Sequence, residues 1–286
     1  MVADFLHEHD FPARRTANPK IICMQSGERV KYGALYDYLP GRTIPWEAYT
    51  QAHLKLLGKT MSDMHATLRQ LNAPTLPHVA DEYGQIAARM QRYFADENVH
   101  YALAAKLQLA MDPEVVRRMI ELLRISKRLP CQQPLHMDFV RGNILFADTP
   151  GDPVLTGVLD FEKTAFGHPS FDIARTLAFL LVDCKYKPAD KVRKYFLLSG
   201  YNKRGQARFA NLAFEDRGQK VDLLEDLTTL FLLHDFYKFL RHNPYESLPQ
   251  NEHFLRTKAE LLRRNVISRS AVRSDPESFR SLQAKS

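Results

Sequence analysis

The chain is predicted to fold as α+β, with a small mixed N-terminal piece and a large helix-rich remainder interrupted by short strands. Three observations predict it. Two β-like runs occur before residue 40. Apolar residues at helical spacing dominate the rest. Between Pro130 and Phe161 the texture changes to short apolar pieces separated by polar loops.

The elements follow in order. Ala3 to His9 reads as the end of a helix, stopped by Pro12. Lys20–Met24 and Lys31–Tyr38 read as strands joined by a turn at Ser26-Gly27, and Pro40-Gly41 breaks the second. Leu57, Met61, Met64, Leu68 and Leu71 mark one face of a long helix beginning near Glu47. Tyr83, Ile86, Ala87, Met90 and Phe94 mark a second. Val115, Met119, Leu122 and Leu123 mark a third, with Pro113 at its first turn. Pro134–His136, Asn143–Phe146 and Val154–Phe161 read as short strands. Helices return from Phe171, with an amphipathic one over Val221–Leu240. Three stretches result: residues 1–40, residues 41–268, and a polar tail over 269–286.

With 286 residues, 45% hydrophobic and 26% charged, the composition is that of an ordinary globular protein. No apolar run reaches the ~18 residues of a membrane span. The first ten residues lack a secretory signal, so the expectation is a cytoplasmic protein. Cys23, Cys131 and Cys184 have no metal-ligand spacing and read as buried free thiols. The net charge of +7 suits an anionic partner such as a nucleotide. No nucleic-acid signature accompanies the scattered cations, so no nucleic-acid partner is expected.

Two polar clusters sit among the short strands, HMDFVRGN over His136–Asn143 and LDFEKTAFGHPSFDIAR over Leu159–Arg175. Phosphoryl transfer from a nucleotide needs a carboxylate to orient and deprotonate the acceptor hydroxyl, and oxygen ligands to hold Mg²⁺ on the phosphates. Asp138 suits the first task. Asn143, five positions on, can offer an amide oxygen to a metal, and Asp160 at a strand end can supply a second ligand. In extended chain Asp160 and Glu162 project to one side, so Glu162 is a further candidate for the metal or its water. Each of these residues alone has a bland reading as a turn or a helix cap. Their ordered combination points to chemistry.

HxDxxxxN, an apolar strand, LDFE and Gly-His-Pro-Ser-Phe-Asp-Ile-Ala, in that order over residues 134–176, resemble the aminoglycoside phosphotransferase/choline kinase family. Leu35–Gly41 resembles that family's adenine-binding linker. The resemblance implies a protein-kinase-like fold with a helix-rich C-terminal lobe. It implies ATP or GTP as co-substrate, Mg²⁺, and a small-molecule acceptor. It makes Asp138 the catalytic base and Asn143 and Asp160 the metal ligands. It gives His136 and Asp172 structural support of the catalytic loop, and the backbone of Tyr36 and Tyr38 the adenine edge. Arg141 lies in the loop, within reach of phosphate or of solvent.

The N-terminal part departs from the family's pattern. Only residues 1–34 precede the linker, too few for a full N-terminal lobe. There is no Gly-rich loop, Lys20 falls on the wrong strand for the phosphate lysine, and Glu8 sits too close to its helix end to be that lysine's partner. A reduced N-terminal lobe is therefore expected, its cover supplied upstream, by a partner or by a second copy, or lost in a degenerate relative that no longer transfers phosphate. These features leave two main readings, with a metal-dependent hydrolase using Asp138, Asp160 and Glu162 a distant third. One is a Mg²⁺-dependent kinase of a small-molecule hydroxyl. The other is a non-catalytic binding or regulatory protein on the same fold. Acidic residues Glu225, Asp226 and Asp235 suit a cationic acceptor or a solvated helix face equally.

Overall fold

The computed structural model describes residues 1–204, 213–216 and 219–270. Packing divides it into two compact units. Met1–Ala80 with Ser126–Thr228 form the first, and Asp81–Ile125 with the chain from Thr229 onward form the second.

In the first unit, α1 (Val2–Glu8) buries Val2, Ala3 and Leu6 and ends before Pro12, as expected. β1 (Thr16–Ser26) and β2 (Arg29–Tyr36) form an antiparallel hairpin about Gly27, whose φ of +61° suits a residue without a side chain. The ribbon leaves Ile21, Met24, Val30 and Tyr32 exposed, the uncovered apolar faces expected of two strands without a larger sheet. Its base is anchored. Thr16 donates its N–H and hydroxyl to the Asp4 carboxylate at 2.6 and 3.0 Å.

α2 (Gln51–Leu68) starts later than expected, because Trp46–Ala48 is a separate 3-10 turn and extended Thr50 caps the helix. Leu57, Met61, Met64 and Leu68 are buried, as their spacing predicts, and Leu71 lies beyond the helix end. Gly58 lies where α2 meets the turns Lys194–Leu198 and Tyr201–Arg204. A Cβ there would strike the Phe196 carbonyl and come within 2.7 Å of the Tyr201 nitrogen, both backbone atoms. Ala at a helix interior normally gains up to ~1 kcal/mol over Gly. Here Gly58→Ala is expected to lose about 1–3 kcal/mol by overpacking, read as a lower melting temperature.

The second unit holds most of α3 (Val79–Phe94), then α4 (Glu97–Leu107), β3 (Leu109–Met111) and α5 (Pro113–Ser126). Tyr83, Ala87, Met90 and Phe94 are buried on α3, with Ile86 only half-buried, and Val115, Met119, Leu122 and Leu123 are buried on α5 as their periodicity predicts. No apolar period announces α4. Asp96 caps it by accepting the Asn98 N–H.

The chain then returns to the first unit through β4 (Gln133–Leu135), β5 (Ile144–Phe146) and β6 (Leu155–Val158). β7 (Ala165–Gly167), too short to announce itself, pairs with β4, and β5 pairs with β6. Two earlier segments extend the β5–β6 pair. Ala13 bridges Val158, and Arg42 exchanges backbone hydrogen bonds of 2.9 Å with Phe146. Gly41, with φ of +122°, permits this approach, since a Cβ there would strike Thr156 Oγ1.

α6 (Ser170–Asp183) and α7 (Ala189–Arg193) follow, then the strands β8 (Ala213–Asp216) and β9 (Gln219–Asp222). α8 (Leu223–His242) is buried nearly all round its central part, at Leu230, Phe231, Leu232 and Leu233, where an amphipathic helix was expected. In the second unit α9 (Glu252–Arg263) is capped by Asn251, and β10 (Ile267–Arg269) pairs with β3. The tail expected from residue 269 is thus strand at Arg269, and residues 271–286 lie outside the described ones.

Cys184 is a buried free thiol as expected, but Cys23 and Cys131 are exposed. Cys23 sits on the open ribbon and Cys131 has a left-handed backbone with φ of 64°. No helix among the described residues is long and apolar enough to cross a membrane.

Candidate active site

The candidate site is built on residues 136–143, between β4 and β5, all in the first unit. One face of α6 holds this loop. Asp172, Arg175 and Thr176 share that face, being three and four positions apart, and they grip successive loop residues. Asp172 Oδ2 accepts the His136 N–H at 2.8 Å and Oδ1 accepts the Met137 N–H at 2.6 Å. Arg175 Nη2 donates to Asp138 Oδ1 at 2.9 Å, and the Thr176 hydroxyl donates to the Phe139 carbonyl at 2.9 Å. Met137 takes a left-handed backbone, φ of 60°, which these bonds hold in place.

Asp172 lies in the first turn of α6, where the helix dipole favours an anion. Burial alone would raise its pKa. The hydrogen bond and charge of His65, with His136, outweigh that and hold it below the usual carboxylate range. His65 lies on α2, its Nε2 3.1 Å from Asp172 Oδ2 and its Nδ1 2.8 Å from the Tyr201 hydroxyl. A buried line therefore runs from Tyr201 through His65 and Asp172 to the loop.

His136 accepts the Asp138 N–H at Nδ1 (3.1 Å) and donates from Nε2 to the Leu159 carbonyl (3.0 Å). That pair of partners specifies the neutral ring. Burial accordingly pushes its pKa down, against the nearby carboxylates. Its role here is to brace the loop against the chain ahead of Asp160.

The Asp138 carboxylate is nearly buried and fully engaged. Oδ1 meets Arg175, while Oδ2 accepts from Lys163 Nζ at 2.8 Å and from Asn143 Nδ2 at 3.1 Å. Burial pushes its pKa up, but Lys163 and Arg175 more than offset this and keep it below the usual range. Asn143 Nδ2 also donates to the Asp138 carbonyl at 2.9 Å. With Nδ2 spent on Asp138, the amide oxygen points away from that carboxylate within the amide plane.

Asp160 is exposed and left-handed, with φ of 60°. It adjoins Asn143, because the Leu159 N–H donates to the Asn143 carbonyl at 2.8 Å. β6 ends at Val158, short of the expected Phe161, so the strand alternation that set Asp160 and Glu162 on one side does not apply. Instead the Glu162 N–H turns back to Asp160 Oδ1 at 3.4 Å. Among the described residues no three His, Cys, Asp or Glu side chains group to hold a metal by themselves.

Tyr36 ends β2, and Tyr38 lies beyond the strand with its side chain largely exposed. The linker they belong to lies on the β5–β6 pair. Leu39 packs so closely on Gly157 that a Cβ there would come within 2.9 Å of it. Asn143 and Asp160 flank the ends of that pair. Two acidic residues of α8 are ion-paired. Glu225 accepts from Arg193 Nη2 at 2.8 Å, and Asp235 pairs with Lys238 at 2.7 Å. Phe236 stacks on Phe254 in the core.

The profile of the phosphotransferase enzyme family matches residues 1–187. The chain belongs to this family. Bovine hydroxylysine kinase is 25% identical over 200 residues, covering 63% of this chain and 51% of that protein. The chain thus spans about half the length of this curated relative. An amicoumacin kinase bound to AMP-PNP, Ca²⁺ and its ligand superposes over 91% of this chain and 75% of its own, with a TM-score of 0.62 at 14% identity. A microcompartment-associated aminopropanol kinase does so over 86% and 73%, with a TM-score of 0.57 at 14% identity. A Plasmodium vivax ethanolamine kinase covers 91% and 70%, with a TM-score of 0.51 at 13% identity. These establish the protein-kinase-like fold expected of the family.

Lys163, Arg175, His65 and Tyr201 escaped the sequence reading as site residues. Arg175 had a signal, since it lies three positions after Asp172 on a helix. His65 stands on the apolar stripe of α2, where a histidine reads as core.

Proposed function

We propose that this phosphotransferase-family chain carries the site of a Mg²⁺- and nucleotide-dependent kinase acting on a hydroxyl of a small molecule. The observation that carries the reading is the Asp138 carboxylate, kept ionised and held on one side by the buried Arg175. Asp138 orients the acceptor hydroxyl and takes its proton. Asn143 Oδ1 and Asp160 are the metal ligands, and Glu162 meets the metal or its water. A Mg²⁺ site of two protein oxygens completed by phosphates and water fits a chain with no all-protein metal cluster among its described residues. The backbone of Tyr36 and Tyr38 meets the base of the nucleotide. The kinases of hydroxylysine, ethanolamine and aminopropanol are named for amines bearing a hydroxyl, so amino alcohols are the first acceptors to test.

The non-catalytic reading retains one specific support, since both oxygens of Asp138 are already engaged by cations. Thermal melting with millimolar Mg²⁺ and ATP or GTP, followed by labelled phosphate transfer to amino alcohols and aminoglycosides, separates the two. A kinase is expected to melt roughly 2–5 °C higher at tenfold Kd and to label an acceptor. Absence of both effects favours a binding or regulatory protein.

A further inference from the structure

Asp138 has two cationic partners, and they differ in kind. Arg175 is buried, its guanidinium lies 5.4 Å over the Phe179 ring, and it shares the α6 face that grips the loop. Lys163 stands on the turn after β6, three residues past Asp160, and 56% of its side chain is exposed. A hydroxyl can reach Asp138 Oδ2 only if a present donor gives way. The Lys163 ammonium is open to water, which can take over its hydrogen bonds when the pair parts, whereas the Arg175 pair is buried at both ends and costly to break. Lys163 is therefore the partner that can leave. Its ammonium lies 2.8 Å from the oxygen of the proposed base.

We propose that Lys163 is a phosphate-binding residue of the site, which leaves Asp138 Oδ2 for the terminal phosphate when nucleotide binds and so frees that oxygen for the acceptor hydroxyl. This rests on the kinase reading above. In the transfer the bond from the terminal phosphorus to its bridging oxygen breaks and a bond to the acceptor oxygen forms. The hydroxyl proton passes to Asp138, and Lys163 keeps its protons throughout, stabilising the charge on the moving group. Its compact ammonium on a flexible stem suits a ligand that moves.

The test needs no acceptor. Affinities of Mg²⁺·AMP-PNP and Mg²⁺·ADP, or their guanine counterparts, are measured by calorimetry for the wild type, Lys163→Met and Lys163→Arg. Lys163→Met is expected to weaken the triphosphate analogue about tenfold and to leave the diphosphate unchanged, with Lys163→Arg largely restoring binding. The same loss should persist in an Asp138→Asn background. Equal weakening of both nucleotides, no weakening, or a loss that vanishes with Asp138→Asn overturns the role of Lys163 and leaves nucleotide binding standing. A wild type that binds neither nucleotide overturns the role together with the kinase reading.

Discussion

Asp138→Asn is expected to lower phosphate transfer by about 10²–10⁴-fold while leaving nucleotide affinity within a few-fold of the wild type. Asparagine keeps an oxygen for the Arg175 guanidinium, so the grip of α6 on the loop survives and the loss falls on proton acceptance. Alanine would instead take the carboxylate away from the buried Arg175 and would confuse stability with chemistry. Transfer of labelled phosphate, with calorimetry for the nucleotide, separates the two quantities. Transfer at the wild-type rate would remove Asp138 from the role of base.

Asp172→Ala is expected to cost about 3–5 kcal/mol, read as a lower midpoint in urea. One carboxylate there satisfies the His136 and Met137 amides and His65, with no access to water. Its removal leaves two buried amides unpaired and a left-handed Met137 without its restraint. Asp172→Asn keeps one acceptor oxygen and is expected to lose about half as much. An Asp172→Ala protein of wild-type stability would show that the loop is held by its other contacts alone.

Much of this site was legible because its residues are close in the chain. Asp138, Asn143, Asp160 and Asp172 lie within one stretch of short strands and a helix start, where spacing along the sequence carries over into space. His136 and Asp172 read as loop supports, and the structure holds both against the loop backbone. Partners brought in from afar were not legible. His65 reaches Asp172 across 107 residues, and Tyr201 reaches His65 across 136. Nothing in their local sequence distinguishes them from ordinary core residues. Geometry set by a single dihedral was also invisible. Asp160 takes a left-handed backbone and β6 stops at Val158, so strand alternation does not reach Glu162.

By itself the sequence determined the family, the α+β class, the buried faces of α2, α3 and α5, and the residue types available for phosphoryl transfer. Periodicity and motif spacing are properties of neighbours in the chain, and they survive folding unchanged. Only the tertiary structure decided how charge is distributed around Asp138. A buried arginine is tied to one oxygen, and an exposed lysine shares the other with Asn143. That arrangement depends on which side chains α6 and the turn after β6 bring within 3 Å of one carboxylate. Such distances arise from packing and are not encoded in spacing.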